Sequence, residues 1–256
     1  MNSKHIFLSL LISCFFSAAM LSQGPVVKLN YMKVTPGMES DYLEVEQEWK
    51  RIHQKKVELG ICDGWQLWRK LYSGTDDAYN YIAIDWYKDF PSTFESYPDD
   101  FIEGLMTEKE LDELFEKTGK SRSMVRQELS YRIMVADDEL SSSKYIVLNR
   151  MRVKDSDNGR YLETEEKIWK PIHEKSIEKG SRTHWAVWGT WPLQEGQGQY
   201  VTIDGYATPE QFVADDAELK EVHPEMTWED VNQKTLKTRE LISNEVWELV
   251  DGVFPE

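Results

Sequence analysis

Three residue types recur twice along this chain in settings where they could do chemistry. Asp85 and Asp204 sit in strand-like, apolar stretches, Ile84-Asp85-Trp86-Tyr87 and Ile203-Asp204-Gly205-Tyr206. A carboxylate held in such surroundings can act as a general base, as a cofactor-independent oxygenase or isomerase requires. His53 and His173 each follow a tryptophan, Trp49 or Trp169, by four residues, which places each pair on one side of a helix. These histidines are candidate ligand contacts, or they hydrogen-bond a neighbouring strand or carboxylate. Asn30 and Asn149 lie in matching Leu-Asn-x-Met-x-Val segments. Aromatic walls from Trp68, Trp188, Tyr87 and Tyr206, with Arg150 as a cation, would suit an anionic or hydroxylated small molecule. The competing reading is that Asp85 and Asp204 pair with Lys33, Arg150 and Arg152 across the molecule, because buried charges need partners. No H-E-x-x-H, paired C-x-x-C or P-loop is present. Lys154–Gly159 (KDSDNG) resembles a calcium loop but lacks its glycine register and closing acid, so no metal site is expected.

These residues recur because the sequence repeats. Leu29-Asn30-x-Met32-x-Val34 returns as Leu148-Asn149-x-Met151-x-Val153, and Tyr42-Leu43-Glu44-x-Glu46 as Tyr161-Leu162-Glu163-x-Glu165, both offset by 119. One inserted residue later, Trp49-Lys50-x-Ile52-His53 returns as Trp169-Lys170-x-Ile172-His173. Gly60 matches Gly180, Trp65-x-x-Trp68 matches Trp185-x-x-Trp188, and Arg122 and Glu128 match Arg239 and Glu245. A slowly drifting offset over about a hundred residues marks an internal duplication. The halves run over 24–137 and 143–256, with a polar seam at Ala136–Ser143.

Each half reads strand–helix–strand–strand–helix–strand. The first has strands at 26–34, 63–72, 79–87 and 125–135, with helical stretches at 39–59 and 91–119. The second has strands at 145–153, 184–192, 199–206 and 240–250, with helical stretches at 157–179 and 208–237. This is the ferredoxin-like βαββαβ unit, whose open sheet face needs cover. Two tandem α+β copies can cover each other by packing sheet to sheet as a barrel with helices outside. The repeated Trp-Lys-x-Ile-His helix, its glycine stop and the following Trp-x-x-Trp strand resemble the dimeric α/β barrel superfamily, in particular its NIPSNAP and EthD-like members. Closure by duplication within one chain predicts a monomer. Alternation along the strands predicts that Ile82, Ile84 and Trp86, with Val201, Ile203 and Gly205, pack under the helices. Asp85, Asp204, Lys33, Arg150 and Arg152 would then enter the barrel. Gly205, where the first half has Trp86, predicts a void beneath the second helix of its half.

The superfamily resemblance also implies chemistry. Its haem-degrading monooxygenases use an Asn on the first strand, a Trp on the third and a His on the second helix. Here Asn30 and Trp86 stand in one half, while Asn149 and His223 stand in the other, where Gly205 replaces the Trp. The set is split and His223 precedes Pro224, so haem is a minor expectation, with His173, His184 or His223 as ligand. No cofactor is the main one. A small-molecule binder is the leading function, and an oxygenase- or isomerase-like enzyme the alternative.

The remaining features bound the answer. Asp+Glu 46 against Lys+Arg 30 gives a net charge of −16, which opposes nucleic-acid binding. Residues 1–23 read as a secretory signal peptide: Lys4, an apolar run from Ile6 to Phe16, then small residues, with cleavage after Ala19 or Ser22. Leu11-Ile12-Ser13-Cys14 offers the alternative of a lipoprotein anchored through Cys14. Cys62 is then the one cysteine of the mature chain, read as a small residue at a strand start. Acidic patches at 97–100, 214–216 and 136–139 read as solvated surface.

Overall fold

The protein is described by a computed structural model covering residues 24–98, 100–137, 142–191, 198–214 and 217–254. Residues 1–23, read above as a signal peptide, with Cys14 and parts of the acidic patches and seam, lie outside the described residues. The strands are β1 (Val26–Val34), β2 (Gly64–Lys70), β3 (Tyr81–Tyr87), β4 (Arg122–Asp137), β5 (Tyr145–Arg152), β6 (His184–Trp191), β7 (Tyr200–Tyr206) and β8 (Glu240–Val253). They form one closed antiparallel barrel in the order β1-β3-β2-β8-β5-β7-β6-β4. The first half contributes β4-β1-β3-β2 and the second β8-β5-β7-β6. The β2–β8 and β4–β6 ladders join the halves, so no strand edge is left open.

The helices lie outside. α1 (Glu39–Glu58) starts with acids and ends with Lys55 and Lys56, which suits the helix dipole, and it buries Tyr42, Val45, Glu46, Ile52 and His53. α2 (Glu108–Ser121) opens on a Thr107/Glu110 capping box. In the second half, α3 (Asn158–Thr164) runs into a π-helical turn (Glu165–Trp169) and then α4 (Lys170–Lys179). Gly180, left-handed at φ 79°, ends it. α5 (Leu219–Val222) is a single turn, and α6 (Trp228–Thr238) opens on a Thr227/Asp230 capping box. The long helical stretches expected at 91–119 and 208–237 are thus shorter: each begins with a 3₁₀ turn, Pro91–Phe94 or Pro209–Val213, and becomes an α-helix only near its end.

The strand faces differ from expectation in an instructive way. The barrel interior is the apolar face: Val27, Leu29, Trp68, Ile82, Ile84, Ile146, Leu148, Trp188, Val201 and Trp247 form one cluster, with Trp86 and Ile203 against it. Asp85 and Asp204 lie on the outer face, beneath the helices. Lys33 instead donates to the Thr75 and Asp77 carbonyls, and Arg152 pairs with Glu240 at the surface. Both faces are buried, so hydrophobicity alone could not tell them apart. An eight-stranded barrel fills its interior with side chains, whereas the helices bring polar partners to the other face. Of the expected interior charges only Arg150 is inside, bonded to Glu128 (2.7 Å) and to Tyr31. The remaining interior space is about 30 Å³. Trp68, Trp188 and Arg150 are therefore core residues of a filled barrel.

The expected void at Gly205 is also absent. A Cβ there would collide with Ser143 Oγ and stand 2.8 Å from His184 Cβ. Gly205 faces the barrel and sits opposite His184 in the β6–β7 ladder, while Trp86 sits opposite Gly64 in the β2–β3 ladder. Each half carries one large and one small residue at this pair, in reversed order.

Candidate functional site

The two acids, two histidines and two asparagines of the sequence do come together, once in each half, between sheet and helix. In the first half, Asn30 Nδ2 donates to Asp85 Oδ2 (3.1 Å), and Gln127 Nε2 donates to Asn30 Oδ1 (2.6 Å). His53 Nδ1 lies 3.1 Å from Asp85 Oδ1, off the ideal axis of a ring N–H bond. The imidazole stacks on Trp65, centroids 4.9 Å apart and 14° from parallel. In the second half, Asn149 Nδ2 donates to Asp204 Oδ2 (3.0 Å), Asn244 Nδ2 donates to Asn149 Oδ1 (2.5 Å), and His173 stacks on Trp185 at 4.7 Å and 16°.

One exchange changes how the histidine is protonated. Arg182 replaces Cys62, and its Nη1 sits between His173 Nδ1 (2.7 Å) and Asp204 Oδ1. A guanidinium only donates, so His173 Nδ1 must accept and a neutral ring carries its proton on Nε2. At His53 the carboxylate of Asp85 accepts, so Nδ1 carries the proton and Nε2 keeps its lone pair. Burial keeps both rings neutral by lowering their pKa values: Asp85 opposes this at His53, while Arg182 and Arg239 reinforce it at His173. Burial also opposes the charge on Asp85, yet His53, Lys56 and Lys28 hold its carboxyl below the ordinary value. It is thus an ionised orienting group, not the base with a raised pKa that the sequence pointed to.

That property belongs to Glu46 and Glu165. Burial pushes each carboxyl up to about 7, against the pull of Arg122 and Arg239 respectively. The ion pairs measure 3.3 Å for Arg122 Nε–Glu46 Oε1 and 2.8 Å for Arg239 Nη1–Glu165 Oε1. The signal was present in the repeated Tyr-Leu-Glu-x-Glu and the paired late arginines. A Glu on a helix is too common to stand out until the fold buries it.

The π turn explains how the second half absorbs its inserted residue. The Lys170 N–H bonds to Glu165 O, five residues back. Glu165 and Trp169 consequently keep the partners of Glu46 and Trp49: Trp49 Nε1 donates to Thr118 Oγ1 (2.9 Å), and Trp169 Nε1 to Thr235 Oγ1 (3.0 Å). Pro171 follows at once and gives no N–H to the helical ladder, at the point where the π turn already breaks its regular spacing.

In the second half these groups line a pocket of about 430 Å³. Its floor is Asn149, Thr202 and Asp204, its helix wall Glu165, Trp169 and His173, and its rim Leu236 and Leu241. Tyr206 lies against Arg182 (5.7 Å) and stacks on Phe212. The corresponding Tyr87 is buried at the end of β3, near Asp85 and Cys62. A second groove of about 440 Å³ runs between α1 and α2, walled mainly by exposed Glu, Asp, Lys and Arg side chains.

No protein-family model matches the sequence, and no curated protein matches it. Solved structures do. A monooxygenase-like protein of Lactobacillus acidophilus NCFM superposes with a TM-score of 0.50 at 14% identity, over 89% of this chain and 93% of its own. An anthrone oxidase-like protein superposes with a TM-score of 0.50 at 10% identity, over 90% and 93%. The fold is that of the dimeric α/β barrels. A haem-binding protein of Thermus thermophilus is a looser match, with a TM-score of 0.45 at 12% identity over 89% and 92%.

The three histidines expected as haem ligands do not fit that role. His173 presents an N–H on Nε2 and gives Nδ1 to Arg182, so no ring lone pair is free. His184 lies on the barrel side of β6, 2% exposed. His223 Nε2 is held 3.1 Å from Ile168 O. Among the described residues, no group of three or more His, Cys, Asp and Glu is arranged to hold a metal, and no helix is long and apolar enough to cross a membrane.

Proposed function

We propose that the protein binds a small, planar organic molecule in the sheet–helix pocket of its second half. The observation that carries this is a 430 Å³ cavity, within the usual range for small-molecule sites, whose wall combines buried Glu165, Arg182, His173 and Asp204 with the aromatic Trp169 and Tyr206. The filled barrel interior offers no comparable space. The finer reading is that the halves are tandem ferredoxin-like copies, NIPSNAP- and EthD-like in kind, that close the barrel within one chain as a monomer. It also includes export by residues 1–23, with lipid attachment at Cys14 as the alternative. The position of Glu165 in the pocket, titrating near neutrality, favours a second reading: proton-transfer chemistry on the bound molecule, in an isomerase-like or cofactor-independent enzyme.

Native mass spectrometry of the mature protein from its exported fraction tests the first reading. The expected result is a one-chain mass plus a non-covalent small molecule. Leu236→Trp and Leu241→Trp, at two exposed rim positions, should each remove it. A molecule retained by both rim variants would overturn the assignment to this pocket.

A further inference from the structure

The two carboxylates in the pocket wall are not equivalent. Asp204 is committed to Arg182 and Asn149, and it stands 3.7 Å from His173 Nδ1. Glu165 faces one cation, Arg239, at 2.8 Å, and Oε1 accepts no well-aligned hydrogen bond although it is buried. Arg239 in turn lies 5.7 Å from the Trp169 ring. An aromatic carboxylate entering the pocket would meet aromatic walls at Trp169 and Tyr206 and a guanidinium beside Trp169, but Glu165 is already there. Two carboxylates beside one guanidinium in a buried site repel each other, which favours protonation of one of them.

We infer that the pocket takes a planar carboxylate, and that Glu165 accepts one proton from solvent as this ligand docks on Arg239. The inference rests on the pocket reading above. The groups around Glu165 support it. Tyr161 shares its helical segment, Arg239 faces it from the α6–β8 junction, Asp204 from β7 pushes its carboxyl up, and Arg182 and His173 lie beyond Asp204. His173 is not a rival acceptor, because burial and the two arginines keep its ring neutral. Glu165 can be protonated near neutral pH, since burial brings its carboxyl to about 7. No bond other than the O–H of Glu165 forms, and no oxidant or reductant is needed.

Titration calorimetry of the full mature chain with 2-naphthoate, in two buffers of different ionisation enthalpy, reads the proton directly. Uptake should be about one per ligand at pH 8 and about a tenth at pH 6, with affinity falling roughly tenfold per pH unit above 7. In Glu165→Gln the uptake should vanish while binding persists. Binding of 2-naphthoate with no uptake at pH 8, or uptake that survives in Glu165→Gln, overturns the inference and leaves the pocket reading standing. Binding of neutral 2-naphthamide but not of 2-naphthoate overturns the carboxylate class. Failure of both probes to bind removes the pocket reading itself and the inference with it.

Discussion

The two sheet–helix sites of this molecule share nearly every residue and differ in protonation logic. Asn30, Glu46, His53, Trp65, Asp85 and Arg122 have counterparts in Asn149, Glu165, His173, Trp185, Asp204 and Arg239. The exchange of Cys62 for Arg182 still reverses the tautomer of the histidine. In the first half Asp85 orients His53 and leaves Nε2 as an acceptor. In the second Arg182 takes Nδ1 and leaves Nε2 as a donor. The lesson is that a repeated catalytic-looking set does not imply repeated chemistry. One neighbouring cation decides which ring nitrogen holds the proton.

The largest effect should come from the reversed pair inside the barrel. Gly205→Trp places a side chain where Ser143 and His184 already stand, and should cost about 3 kcal/mol or more by urea denaturation. Adding His184→Gly restores the order of Gly64 and Trp86 and should recover most of that loss. A double variant no more stable than Gly205→Trp alone would break the comparison at this pair.

A smaller effect is expected from Arg182→Cys, which gives the second half the residue of the first. Asp204 loses its cation but gains His173 as a direct partner, so the cost should be about 1–3 kcal/mol. The sharper readout is ¹⁵N NMR of the imidazoles. The proton of His173 should move from Nε2 to Nδ1, matching His53. An unchanged tautomer would show that Arg182 does not set it.

The smallest effect concerns pH, and here the halves should behave alike. Glu46 and Glu165 have folded-state pKa values of about 7, above the unfolded value of 4.5. The folded state therefore binds more protons between these values, and stability should fall as pH rises from about 5 through 7. Each group should account for roughly 1–2 kcal/mol. Glu46→Gln and Glu165→Gln should each remove about half of the slope. A difference confined to one variant would show that only one of the buried carboxyls is perturbed.

Much of this was legible in the chain. The glycine stops at Gly60 and Gly180, the alternating strands and the drifting offset gave the order of elements, because backbone conformation and burial periodicity are written locally. The pairing of Asn30 with Asp85, and of Asn149 with Asp204, was not legible, because alternation set the acids on the face of Lys33, Arg150 and Arg152, and only the strand register brought them to the asparagine side. Glu46 and Glu165 were passed over, since nothing local distinguishes a helix Glu that ends up 2% or 1% exposed from one in water. The inserted residue was visible as a step from offset 119 to 120, but not that it would become a π turn holding Glu165 and Trp169 in place.

The sequence by itself determined that the chain folds as an α+β protein, and which apolar positions are buried. The tertiary structure decided which buried face turned inward. Alternation fixes only that neighbours point apart, and barrel closure sends the apolar set to the centre. It likewise decided where each proton rests, because that depends on Arg182, Arg122 and Arg239 arriving beside His173, Glu46 and Glu165 from distant parts of the chain. Charge in a buried site is set by such neighbours and by the loss of water, and neither is a property of any one segment.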